Sequence, residues 1–71
     1  IRRYTLNNGS AFIGRTLANS GLRQEYHCTV IGFEDESGNL VSPSPERIIQ
    51  SMDTIWVVGE YESLRKLNTE L

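Results

Sequence analysis

One stretch of this chain places a nucleophile beside a base. His27 and Cys28 are adjacent, and an imidazole that activates a thiol is a recipe for covalent attack. Neighbouring residues of an extended strand point to opposite faces, however, so this pair cannot readily share a proton. A small buried thiol beside a half-exposed histidine is the simpler reading. Metal chemistry fails on ligand count, because one Cys, one His and scattered carboxylates form no spaced cluster. Glu34, Asp35 and Glu36 could gather a hard cation with Asn39, but the spacing of a calcium loop is absent, and acids beside Gly38 read as a solvated hairpin tip. Gly9 and Gly14 do not form a glycine-rich loop between a strand and a long helix, so the phosphate-binding fingerprints fail too. Trp56, Tyr4, Tyr26 and Phe33 fall inside strand and helix patterns, where aromatics serve a core more often than they stack on bases. An enzyme is not expected.

The residues left with chemistry to do are arginines. Residues 1–24 hold Arg2, Arg3, Arg15 and Arg23 and no acid, giving +4, whereas residues 25–71 hold Arg47, Arg65 and Lys66 against nine acids, giving −6. The net charge of −2 argues against general nucleic-acid binding, which needs a basic stripe. The arginine-only front third leaves room for one anionic ligand.

Stepping outward from Arg23, the stretch Gly14 to Phe33 reads as a short helix over Thr16 to Asn19, a break at Ser20-Gly21, a second helical turn over Leu22 to Tyr26, and then a strand. Ile13 and Leu17 are four apart, as are Leu22 and Tyr26, so each piece gathers its apolar residues on one side. Thr16 is a candidate N-cap, and Gly21 suits a left-handed terminating residue. From Cys28 to Glu34 β-branched and aromatic residues favour a pleated surface. Ile1 to Leu6 alternates loosely as a strand and ends at Asn7-Asn8-Gly9-Ser10. Asp35 to Asn39 is a hairpin connection with Gly38 where positive φ is needed. Leu40-Val41-Ser42 returns as a short strand that Pro43 and Pro45 stop. Glu46 to Asp53 is ambiguous. Thr54 to Gly59 is the clearest strand, apolar on both faces and hence central. Tyr61 to Leu71 is a closing helix with a stripe of Tyr61, Leu64, Leu67 and Leu71 and a Glu62–Lys66 pair.

These pieces make an α+β fold: a small open sheet of about four strands with two helical elements in β-α-β-β-β-α order. The 71 residues make a single domain. A core of this size rarely gives more than about 3–5 kcal/mol, so support from a partner chain or a larger protein is expected. Cys28 is the sole cysteine, which rules out an internal disulfide and fits a reducing compartment. The longest apolar run, Ile55 to Val58, is too short to span a bilayer, and the chain reads as a piece of a longer polypeptide.

Taken in order, four stretches carry a resemblance: Gly14-Arg15-Thr16-Leu17; Leu22-Arg23-Gln24-Glu25-Tyr26; Val30-Ile31-Gly32-Phe33; and Ser42-Pro43-Ser44-Pro45 with Asp53 to Gly59. Their order and spacing, over residues 2 to 68, resemble the C-terminal domain of the "regulator of conductance of potassium" modules, the TrkA-C or RCK-C domain. The resemblance implies a regulatory domain at the cytoplasmic face of the cell membrane, attached to or partnering a membrane-embedded potassium or other monovalent-cation channel or a cation/proton antiporter. It implies a homodimer, with no nucleic-acid partner and no membrane insertion of this segment. Some members bind cyclic di-AMP between two protomers, and the matching positions are Arg23 facing phosphate, Thr29 with Ile31 on the following strand, and Pro43 with Pro45 against the base. A ligand-free dimerisation domain is the alternative. Nucleotide-binding members favour asparagine where this chain has Thr29, and glycines usual in the family stand where this chain has His27-Cys28 and Met52.

Overall fold

The computed structural model describes all of residues 1–71. Its elements run β1 (Arg2–Thr5), β2 (Thr29–Glu34), β3 (Leu40–Val41), β4 (Thr54–Val58) and α1 (Tyr61–Asn68). The strands form one antiparallel sheet in the order β1-β4-β2-β3, so the strand that is apolar on both faces is central. Ile55 and Val57 of β4 are buried on the face covered by α1, whose Leu64 and Leu67 are buried in turn. Each such side chain contributes about 1.5–3 kcal/mol on leaving water. Leu6, Phe12, Leu22, Cys28, Phe33 and Ile49 complete the core, and the T-shaped pair Phe12–Tyr26, with centroids 5.7 Å apart, joins the front turns to it.

The opposite face of the sheet carries a polar clamp. Trp56 Nε1 donates to Glu34 Oε2 at 2.7 Å, and the Arg3 guanidinium bonds both Glu34 oxygens, one through Nη2 at 3.0 Å. These bonds, that from Arg3 foremost, hold the Glu34 carboxyl below its ordinary range.

Two expectations are corrected in detail. The helix over Thr16 to Asn19 does not form: residues 14 to 18 run alongside residues 45 to 49, with Gly14 N–H to Ile49 O at 2.8 Å, Ile49 N–H to Arg15 O at 2.9 Å, Leu17 N–H to Arg47 O at 2.9 Å and Ala18 N–H to Pro45 O at 2.9 Å. Four residues give too few internal bonds to offset helix nucleation, whereas extended pairing satisfies backbone groups on both segments. This pairing also resolves the ambiguous run after Glu46. Thr16 caps no helix there; its Oγ1 accepts from Asn19 N–H at 3.3 Å within a turn. The helical turn expected over Leu22 to Tyr26 does form, closed by Glu25 N–H to Gly21 O at 2.8 Å and His27 N–H to Arg23 O at 3.1 Å. Second, α1 stops at Asn68, where Thr69 caps it; Leu71 packs on the core from beyond the helix, Tyr61 is exposed, and Glu62 pairs with Arg65 rather than Lys66.

The two positions where family glycines are replaced, His27 and Met52, are the non-glycine residues with positive φ, at 55° and 69°. Met52 is held there because its N–H bonds Leu6 O at 3.0 Å while Leu6 N–H bonds the neighbouring Asp53 O at 2.9 Å.

Candidate functional site

A cleft of about 360 Å³ opens beside the start of β2. The helical turn after Gly21 contributes Leu22, Arg23 and Gln24; the chain entering β2 contributes Cys28, Thr29 and Val30; the proline segment after β3 contributes Pro43 and Pro45; and Leu17 and Ala18 close the fourth side. Arg23, Thr29, Pro43 and Pro45, which stand in three separate stretches of the sequence, thus share one cavity. Ile31 lies outside it. A bulge between Val30 and Gly32 leaves Ile31 without a partner in the ladder, so the strand's alternation breaks after the first two residues.

The cleft is built on backbone bonds. Pro45 lends its carbonyl to Ala18, and Arg47 lends its own to Leu17, which fixes the proline wall against the front segment. A buried Ser20 links that segment to the helical turn: its Oγ donates to Leu17 O at 2.8 Å and accepts from Leu22 N–H at 3.3 Å. Gly32 sets the approach of β3, since a Cβ there would stand 2.6 Å from Leu40 Cδ1 and 2.8 Å from the Val41 carbonyl oxygen.

Electrostatically the cleft is one-sided. Arg23 is exposed and takes part in none of the three ion pairs, and the Glu46 carboxylate accepts from Ser44 Oγ at 2.8 Å. No acid lines the cavity. An exposed guanidinium beside apolar walls and a threonine hydroxyl can take a phosphate or carboxylate with an attached flat ring. Cys28 sits at the floor of the cleft, and burial pushes its thiol pKa up, the opposite of what a nucleophile requires. No three of the His, Cys, Asp and Glu side chains lie together as metal ligands would, and Asp35 Oδ1 is committed to the N–H groups of Ser37 and Asn39 in the hairpin.

The model of the TrkA-C domain matches residues 1–71. The chain belongs to the TrkA-C family. This TrkA-C domain is 35% identical over 68 residues to the K(+)/H(+) antiporter subunit KhtT of Bacillus subtilis, covering 94% of this chain and 41% of KhtT. It is 30% identical over 67 residues to potassium channel protein 1 of Methanocaldococcus jannaschii, covering 94% of this chain and 20% of the channel. The chain therefore spans less than half the length of the curated relatives it matches. Among solved structures, the RCK_C domain dimer of S. agalactiae BusR in complex with c-di-AMP superposes with a TM-score of 0.82 at 20% identity, over 97% of this chain and 85% of that one. BusR in complex with its busAB-promoter DNA gives the same TM-score over 34% of its chain, and the GsuK channel bound to NAD gives 0.77 at 25% identity over 97% of this chain and 13% of that one. The sheet, the proline segment and the closing helix thus follow an RCK_C fold, as the resemblance implies. This TrkA-C domain has no helix long and apolar enough to cross a membrane.

Four of the positions that the resemblance singles out, Arg23, Thr29, Pro43 and Pro45, line the cleft, and its other lining residues are given no ligand role by that resemblance. Gln24 stood beside Arg23 and its free amide was the available signal. Leu17 and Ala18 carried none, because their place depends on pairing with residues 45 to 47.

Proposed function

We propose that this TrkA-C domain acts as a dimeric regulatory module at the cytoplasmic face of a membrane-bound monovalent-cation transporter, a cation/proton antiporter in particular, and that it takes cyclic di-AMP where two copies bring their clefts together. The observation that carries this reading is the convergence of Arg23, Thr29, Pro43 and Pro45 on one cleft without a lining acid. Each protomer supplies one unpaired guanidinium, which suits a two-fold ligand with two phosphates. The likeness to KhtT supports the antiporter, and the BusR domain dimer with c-di-AMP supports both the pairing and the ligand. The DNA of the BusR complex has no counterpart in the charge of this chain, which totals −2.

Calorimetric titration with cyclic di-AMP tests the ligand. Wild type binds, and Arg23→Ala loses about 1.5–3 kcal/mol, roughly 10- to 150-fold in affinity, the worth of a charge-assisted contact. Absence of heat with wild type, or unchanged affinity in Arg23→Ala, refutes it.

A second reading, a dimerisation domain without ligand, draws on the exposed Leu40, Val41, Ile48 and Val58 of so small a chain. It requires a concentration-dependent dimer by sedimentation whose stability ignores nucleotides.

A further inference from the structure

The polar equipment of the cleft is short and unequal. Arg23 offers only donors, Thr29 offers one hydroxyl, and Gln24 alone offers a donor and an acceptor side by side. The remaining walls, Leu17, Leu22 and the two prolines among them, are apolar. Arg23 and Gln24 are consecutive on the helical turn that follows Gly21, where successive side chains fan apart by about 100°. One can thus meet a phosphate while the next meets the ring attached to it. Taking the cleft as the nucleotide site proposed above, we infer that Gln24 is its specificity-determining residue: its amide reads the base and selects adenine over guanine.

The chemistry follows from the two base edges. Adenine presents an amino donor beside a ring-nitrogen acceptor, which matches a carboxamide bond for bond. On the Hoogsteen edge, the one the carboxamide reads, guanine presents two acceptors in the same places, so the carboxamide oxygen would face another acceptor and stay unpaired. Arg23, whose fork would match guanine, is occupied by phosphate in this arrangement. Gln24 is exposed and takes no part in the core, so its replacement leaves folding intact.

The test titrates cyclic di-AMP and cyclic di-GMP into wild type, Gln24→Ala and Arg23→Ala by calorimetry. Wild type prefers the adenine ligand. Gln24→Ala loses about 5- to 140-fold of that preference, the worth of one bidentate base contact, and does so through weaker cyclic di-AMP binding. Arg23→Ala weakens both ligands alike and keeps their ratio. An undiminished preference in Gln24→Ala overturns the role of Gln24 while the cleft remains a nucleotide site. A wild type that prefers cyclic di-GMP also overturns it, and shows Arg23 reading the base. A wild type that binds neither ligand overturns it together with the nucleotide reading of the cleft.

Discussion

Replacing Gly32 by alanine joins the sheet to the cleft in one measurement. The added methyl would lie 2.6 Å and 2.7 Å from Leu40 Cδ1 and Cγ, and 2.8 Å from the Val41 carbonyl oxygen. The leucine is half-exposed and can swing away, but the carbonyl belongs to the backbone of β3. Only a shift of that strand away from β2 relieves it, at the cost of the Phe33–Val41 pairing. Overpacking of this kind costs about 1–3 kcal/mol, and the stiffer unfolded chain of alanine returns about 0.4–1 kcal/mol. The net loss is about 1–2 kcal/mol, against a total of roughly 3–5 kcal/mol for a core this small. Thermal unfolding followed by circular dichroism should show a Tm lower by about 5–15 °C. Because Val41 stands two residues before Pro43, the same shift loosens the proline wall, and the amides of β3 should exchange faster with solvent. An unchanged Tm with protected β3 amides would refute the argument that this close approach sets the cleft.

Two further outcomes concern the backbone and the sheet's open face. Met52→Gly should stabilise the chain by about 0.5–1 kcal/mol in urea melts, since a left-handed non-glycine residue costs about 1–2 kcal/mol and the freer unfolded glycine gives back part of that; a destabilised variant would mean that the φ of 69° carries no strain. The Glu34 carboxyl titrates below its ordinary range when folded, so its contribution is complete above the unfolded carboxylate pKa of about 4.3 and is lost as pH falls through the folded value. The stability gap between wild type and Glu34→Gln should therefore be wide at neutral pH and shrink steadily as pH falls below the unfolded carboxylate range; a gap that stays constant on acidification would count against the clamp with Arg3 and Trp56.

Strands and the closing helix could be read from the residues because their signals are local. Thr54 to Val58 is apolar on both faces, as a central strand must be, and Leu64 and Leu67 repeat at helical spacing. The front third was harder. Thr16 to Asn19 reads as helix because Ile13 and Leu17 stand four apart, and what overrides that is a partner some thirty residues away, the segment around Arg47, which no local pattern announces. Arg47 enters the sequence reading only in the charge balance. It lies 4.1 Å from the Phe33 ring centroid and bonds Asp53 at 3.1 Å, a placement set by the same long-range pairing. Ile31, which the resemblance groups with Thr29, does not line the cleft, and the bulge between Val30 and Gly32 beside it is not announced by the residue types.

The seam between residues 14 to 18 and 45 to 49 is made by main-chain atoms, so it does not depend on which side chains face the cleft. Lining positions such as Ala18 and Gln24 can be exchanged without unfastening it. A scaffold that separates its fastening from its lining lets the occupant of the hollow change over evolutionary time while the hollow keeps its shape, and one small architecture can then answer to chemically different messengers.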